Sequence, residues 1–261
     1  MYSNEHIKYL KRIKRNNLII RFFQLLIIIL FIIIWQILSD YKIIDTFIFS
    51  SPKLVFNCLI NLYNTNNLLP HIWVTIYETI ISFSLGTILG IIIASILWWN
   101  RNIAKIMDPY LTILNSLPKV ALGPIIIIWF GSGIKSIIFM ALLISLIITI
   151  INVYQGFICI NNNQIKLMKS FKANKLQIYF KLILPGSINT ILSSIKINIS
   201  MSLIGVIMGE FLVSKSGIGY LIVYGSQVFN LNLVITGIFI LCFVSAVMYY
   251  LVSLLENKLK K

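Results

Sequence analysis

The sequence predicts an all-α polytopic membrane helix bundle: six transmembrane helices, both termini cytoplasmic, and a short cytoplasmic helical hairpin between helices 4 and 5. Three observations predict it. Of 261 residues, 59% are hydrophobic and only 11% charged, and the mean hydropathy of +0.93 is too high for a water-soluble surface. Six stretches reach the roughly 20 mostly apolar residues that cross about 30 Å of hydrocarbon at about 1.5 Å per residue. Lysine and arginine concentrate in alternate connecting segments, as orientation in a membrane requires. In a soluble chain the net charge of +15 would raise nucleic acid as a partner. Here the apolar runs leave no room for a basic binding domain, so the charge is read as topology, the lipid bilayer is the expected surrounding, and no nucleic acid is expected.

The first span, Leu18 to Leu38, has no small-residue cleavage site after it, which argues against a removed signal peptide. The second, Ile72 to Trp99, carries one charge, Glu78, and ends in the interface-seeking pair Trp98 and Trp99. The third, Tyr110 to Phe130, contains Pro118, Lys119 and Pro124, so its first half is expected to be broken and buried in protein. The fourth, Ile137 to Phe157, is uncharged; the fifth, Ile191 to Val213, holds Lys196 and Glu210; the sixth, Leu233 to Leu255, has no charge. Residues 1–48 read as a basic segment plus an extra first helix, and 49–255 as the core of a single transmembrane domain covering 1–261. Counted between spans, sixteen Lys and Arg fall on one side (residues 1–21, 99–109, 158–190 and 256–261) and four on the other. The richer side is cytoplasmic by the positive-inside rule, which makes the chain a multi-pass membrane protein with both termini and the 158–190 segment in the cytoplasm. On the opposite side, Ser50, Ser51 and Pro52 signal a helix start, and Leu54, Val55, Cys58, Leu59 and Leu62 recur at helical spacing, which predicts a short surface helix from Pro52 to Tyr63.

Catalytic and metal chemistry find little support. Cys58, Cys159 and Cys242 form no C-x-x-C, His6 and His71 are far apart, and no Gly precedes Lys, so a phosphate-cradling loop is absent. No catalytic residue, metal site or resident cofactor is expected. Ser82, Gly86, Gly90 and Ala94 stand at four-residue steps, and Gly205 and Gly209 repeat the spacing, which favours close helix packing in lipid. Each such step drifts about 40° around a helix of 3.6 residues per turn, so one flat interface cannot use all of them. Glu78 and Glu210 are the acids inside the spans, and a mid-membrane charge costs about 2.5 to 3.5 kcal/mol. They are candidates for a gate or partner-docking role, or for a structural pairing, with Lys215 as a conceivable partner of the latter kind. Asn115 and Ser116 before Pro118, and Asn152 with Gln155, are polar groups that either line a pathway or bond between helices.

The segment between the fourth and fifth spans is the most informative. Asn161 to Asn163 offer a cap for a helix beginning near Gln164, on which Ile165, Met168 and Phe171 make one apolar stripe. Ala173-Asn174-Lys175 reads as a turn, and a second amphipathic piece, Leu176 to Leu184, is expected to stop at Pro185-Gly186. Lys166, Lys169, Lys172, Lys175 and Lys181 surround the unit. A loop facing lipid headgroups is one reading; a docking surface for a cytoplasmic protein is the other.

From Ile165 to Asn174 and on from Leu176 to Pro185, this segment resembles the cytoplasmic coupling loop of ABC importer inner-membrane permeases. Asp108-Pro109-Tyr110, Leu117 to Pro124 leading into Trp129 to Gly133, and Gly209-Glu210-Phe211-Leu212 followed by Ser216 to Leu221 resemble the branch serving nitrate, sulfonate, taurine and pyrimidine-precursor uptake. The resemblance implies binding-protein-dependent transport in a bacterial-type plasma (inner) membrane by a dimer of this chain with a second, identical permease chain, together with an extracytoplasmic substrate-binding protein and a cytoplasmic ABC ATPase dimer that holds ATP and Mg. It assigns ATPase coupling to Ile165, Lys166, Met168, Lys169, Phe171, Lys172, Ala173, Asn174 and Pro185, with Phe171 and Met168 as the inserting side chains. The sequence departs from the family at Lys166, where an acidic residue is usual, at Lys172, where Gly is usual, and at Asn189, where a second Pro is common. Because Gly permits a positive φ that Lys adopts only with strain, the loop is open to bending differently at Lys172. The competing readings are a stand-alone secondary carrier or channel and a membrane-embedded lipid-modifying enzyme; against the latter, no cluster of convergent acid, base or metal groups is present.

Overall fold

The computed structural model describes residues 4–259, helical throughout and without a strand among them. Residues 1–3 and 260–261, the ends of the two basic termini, lie outside the described residues. Helix α1 (Asn4–Asp40) extends the predicted first span at both ends, since no Gly or Pro interrupts its 37 residues. Its apolar stretch is exposed on every side, which is the condition of a helix bathed in lipid. Two contacts tie its far end to the bundle: Trp35 stacks on Phe239 at 5.8 Å, and the Gln36 side-chain oxygen accepts from the Lys53 N–H at 3.2 Å.

After the short α2 (Thr46–Phe49) comes α3 (Pro52–Asn64), the expected surface helix, with Ser51 Oγ accepting the Leu54 N–H and Pro52 in the first turn. Helix α4 (Leu68–Trp99) follows. The third expected span is not one helix: α5 (Arg101–Ser116), a 3₁₀ turn (Lys119–Leu122) and α6 (Gly123–Phe130) are bent by 88°. Pro118 forces the preceding residue out of the helical region, and Leu117 accordingly sits at φ −61, ψ 135. Residues 112 to 118, at this break, are exposed on the single chain. Five helices are therefore long and apolar enough to span, with the bent pair as a sixth crossing or a re-entrant segment.

Helix α7 (Ile134–Ile158) leads to a hairpin of α8 (Asn162–Ser170) and α9 (Lys175–Ile178), a π turn (Tyr179–Ile183) and α10 (Leu184–Gly186). The expected stop at Pro185-Gly186 does not occur, since only Ser187 separates α10 from α11 (Ile188–Val213). In the π turn the Leu184 N–H reaches back five residues to the Tyr179 carbonyl. This widens the spiral just ahead of a proline that has no N–H to donate. Helices α12 (Ile218–Gln227) and α13 (Leu231–Leu259) complete the chain.

The core is α7 held between α4 and α11. On one side Gly86 faces Ser145, Gly90 faces Thr149, and Ala94 shares a buried cluster with Val153 and Phe157, while Ser82 is fully buried beside Ile138. The small-residue stripe is thus used along its whole length by one partner, because α7 follows the drift that a flat interface would not. On the other side Gly205 lies against the backbone of Ala141, and Gly209 against Ile137. Helix α13 closes the bundle where Ile240, Val244 and Met248 meet Leu68, Ile199 and Ile218.

A Cβ at Gly205 would collide with the Ala141 backbone, whereas at Gly86 it would meet only the Ser145 side chain, which can turn away. Gly205→Ala is expected to destabilise the bundle by about 1–3 kcal/mol, the usual range for overpacking, and Gly86→Ala by less. Thermal unfolding of the two variants in detergent checks the order; equal midpoints would refute the backbone contact.

Candidate functional site

The hairpin between α7 and α11 is built from strong local signals. Asn161 caps α8 by accepting the Asn163 N–H at 2.9 Å. The helix ends in a Schellman motif: the Lys172 N–H bonds Lys169 O at 2.9 Å, the Ala173 N–H bonds Met168 O at 3.0 Å, and Lys172 sits at φ 58. Lys172 therefore adopts the left-handed conformation that Gly would take with less strain, and the loop makes the tight turn all the same. Asn174 and Gln177 then form a reciprocal capping box that starts α9.

Aromatic and polar contacts fix this hairpin to the end of α4. Tyr179 OH and Ser95 Oγ are hydrogen-bonded at 2.6 Å. The Tyr179 ring lies 5.3 Å from Trp98 and 5.9 Å edge-on from Phe157. Lys175 Nζ donates to the Trp99 carbonyl and stands 5.2 Å over the Trp99 ring. Ile178, Tyr179 and Ile183 are buried with Ala94, Val153 and Phe157, and Ile165, Met168 and Ala173 pack against the same cluster. Met168, expected as an inserting side chain, thus packs against the bundle. Phe171, 75% exposed, faces away from it, beside the exposed Leu167, Leu176 and Phe180, while Lys166, Lys169, Lys172 and Lys181 are exposed around them. A bolted platform with an apolar, cation-rimmed outer face is what the geometry presents.

Residues 86–261 match the family described as the binding-protein-dependent transport system inner membrane component. The chain belongs to this family. A Haemophilus influenzae protein provisionally named as an ABC transporter permease is 29% identical over 234 residues, covering 90% of this chain and 95% of its own. The formylaminopyrimidine transport permease ThiX of Halalkalibacterium halodurans is 26% identical, covering 89% of this chain and 92% of its own. An inward-facing crystal structure of the MetNI methionine ABC transporter shares the fold, with a TM-score of 0.63 at 18% identity over 74% of this chain and 94% of that chain. The chain is accordingly a multi-pass inner-membrane permease subunit of an ABC transporter, not an enzyme, which sets aside the lipid-modifying and stand-alone carrier readings.

The permease does not gather its pathway candidates into one place. Asn115, Ser116 and Pro118 are exposed at the bend after α5, where Ser116 Oγ donates to Thr112 O and Lys119 Nζ to Asn115 O. Asn152 is half-buried and Gln155 exposed near the end of α7. Glu78 and Glu210 are both fully enclosed and face each other between α4 and α11. The Lys215 partner is not found: Lys215 is exposed, and Glu210 instead accepts from Thr75 Oγ1 at 2.6 Å and the Gly219 N–H at 2.5 Å. Lys196 pairs with Glu256 of α13, across the bundle.

Sequence reasoning missed Thr75, Tyr179 and Asn198. Asn198 is buried at the middle of α11, bonded to Thr87 Oγ1 at 2.6 Å and, with its oxygen turned to Thr87, donating to Ser145 O and Thr149 Oγ1 at 3.3 Å each. Its signal was readable, as Ser194, Asn198 and Ser202 recur every fourth residue in an apolar span.

Lys172→Gly is expected to relieve about 1–2 kcal/mol of left-handed strain, whereas Lys172→Val, β-branched at a positive φ, is expected to loosen the turn. Hydrogen exchange at the Ala173 amide checks this: protection should hold in the first variant and fall in the second. The same exchange in both would contradict the Schellman geometry.

Proposed function

We propose that this permease works as a pair of identical chains with a cytoplasmic ABC ATPase dimer and an extracytoplasmic binding protein, importing a small solute by alternating access. The observation that carries the reading is the hairpin: its inner face is bolted to α4 and α7 through Tyr179, Lys175 and Met168, and its outer face offers Phe171 to a partner. An apolar side chain three-quarters exposed, amid lysines, fits a groove with an apolar floor and acidic rim on the ATPase. The sixteen-to-four charge asymmetry supports placing this face and both termini in the cytoplasm.

In this reading ATP and Mg are held by the ATPase, and the permease contributes the conformational change. Closure of the ATPase pair pushes on the hairpin, and the contacts at Ser95 and Trp99 pass the movement to α4. The polar side chains that are exposed in one chain, Asn115, Ser116 and Gln155, are the ones available to line a pathway between two chains. The solute is of the sulfonate, taurine, nitrate or pyrimidine and vitamin-precursor type; the relatives' names support the sulfonate and pyrimidine-precursor members of that set, since besides ThiX a Bacillus subtilis protein provisionally named as the aliphatic sulfonates transport permease SsuC is 27% identical over 230 residues.

Phe171→Ala is expected to reduce transport-coupled ATP hydrolysis at least several-fold while the chain still inserts in the membrane. Met168→Asp acts differently, loosening the hairpin itself by placing a charge against an apolar cluster. ATPase activity of the reconstituted transporter, with and without solute-loaded binding protein, separates the two; unaltered stimulation in Phe171→Ala would sink the placement of the docking face.

A further inference from the structure

We propose that Glu78 and Glu210 hold one proton between them, Glu78 being the acid that donates to the Glu210 carboxylate, and that this proton latches the start of α12 to α4. Both side chains are enclosed, 0% and 1% exposed. Every protein donor at the site aims at one of the two. Glu210 accepts from Thr75 Oγ1, the Gly219 N–H and the Tyr220 backbone. Neither oxygen of Glu78 meets an N–H or O–H donor, and its polar neighbour is the Glu210 carboxyl, within hydrogen-bonding reach. An acceptor-only carboxylate in that position would be buried and unsatisfied beside a like charge, whereas a protonated Glu78 gives its O–H to Glu210 and resolves both conflicts.

The occupant is a proton and not a metal ion. No group of three His, Cys, Asp or Glu side chains able to hold a metal occurs among the described residues. The site is also close-packed, since a Cβ on Gly219 would lie 2.8 Å from Glu210 Cβ and Oε2. The titratable neighbours are few. From α4, His71 Nδ1 accepts the Gly217 N–H at 2.8 Å, and from α12, Tyr220 stacks on the His71 ring at 5.8 Å. On α7, Lys135 is exposed, as is Lys215 in the loop before α12. Among the described residues neither carboxyl has a Lys or Arg partner.

The same carboxylate that takes the proton also takes the Gly219 amide, and Thr75 Oγ1, which donates to Glu210, accepts the Ile218 N–H at 2.8 Å. Loss of the proton would set two buried negative charges against each other at the point where α12 is attached.

The test is infrared spectroscopy of the full-length chain in lipid bilayers, which does not depend on the transport reading. A carboxylic-acid C=O band is expected in the wild type, lost in Glu78→Gln. Glu78→Gln is expected to keep the wild-type unfolding midpoint, because the Gln amide donates to Glu210 as the O–H did. Glu210→Gln is expected to lower the midpoint and speed hydrogen exchange at Gly219. Absence of the band in the wild type, its survival in Glu78→Gln, or equal loss of stability in both variants would overturn the proposal; the wild-type band decides by itself if either variant fails to insert.

Discussion

The close approach of α4 and α11 to the two sides of α7 is the constraint on which the rest of this permease depends. Lipid supplies no hydrophobic drive for helices to associate, so contact has to come from packing and from polar groups that lipid leaves unsatisfied. Gly86, Gly90 and Gly205 bring the backbones close, and the space they vacate is filled by Ser145, Thr149 and Ala141. Close approach then makes short polar side chains effective. Asn198 reaches Thr87 on α4 and the Ser145–Thr149 edge of α7 together, so one amide ties three helices midway along α11.

Helix α4 carries the attachment points at both ends of this core. Thr75 bonds Glu210 and the start of α12, and Ser95 bonds Tyr179 of the hairpin. Twenty residues of helix separate them, a span of about 30 Å at about 1.5 Å per residue. Helix α4 contains glycines yet packs along its whole stripe against α7, so the two attachment points are joined by one continuous strut of helix. The broken segment α5 and α6, exposed along its bend, stands outside this strut.

Much of the fold was legible because membrane solvation reduces it to run length. The spans near α1, α4, α7, α11 and α13 follow from apolar stretches, and Ser51-Pro52 fixed the start of α3. At the third span hydropathy counts Leu117 and Val120 as spanning residues, while Pro118, legible as a break, sets an 88° corner whose angle the sequence does not specify. The hairpin's caps at Asn161 and Asn174 were readable, but the π turn was not, because it depends on how Leu184 and Tyr179 meet ahead of a proline. The small-residue stripe and its use in close packing were legible, while its single partner was not, because that depends on α7 following the stripe's drift around α4. Pairings were the hardest to see. Glu210 with Glu78, and Lys196 with Glu256, join residues more than 50 positions apart, and Glu256 lies just beyond the apolar run that defined the last span.

Lys172 illustrates how a departure from a family pattern is absorbed. The Gly position of the coupling segment is the C′ site of a Schellman motif, where backbone hydrogen bonds from residues 172 and 173 close the last turn of α8. Those bonds and the capping box that follows at Asn174 hold the turn from both sides, so a residue at φ 58 is over-determined by its neighbours. The backbone thus makes the tight turn with a lysine at this position, and the side chain adds an exposed cation to the hairpin beside those of Lys166, Lys169 and Lys181. Together with Lys166, the change sets the charge of the hairpin's exposed face, while the turn beneath it is held by backbone hydrogen bonds that do not depend on the side chain.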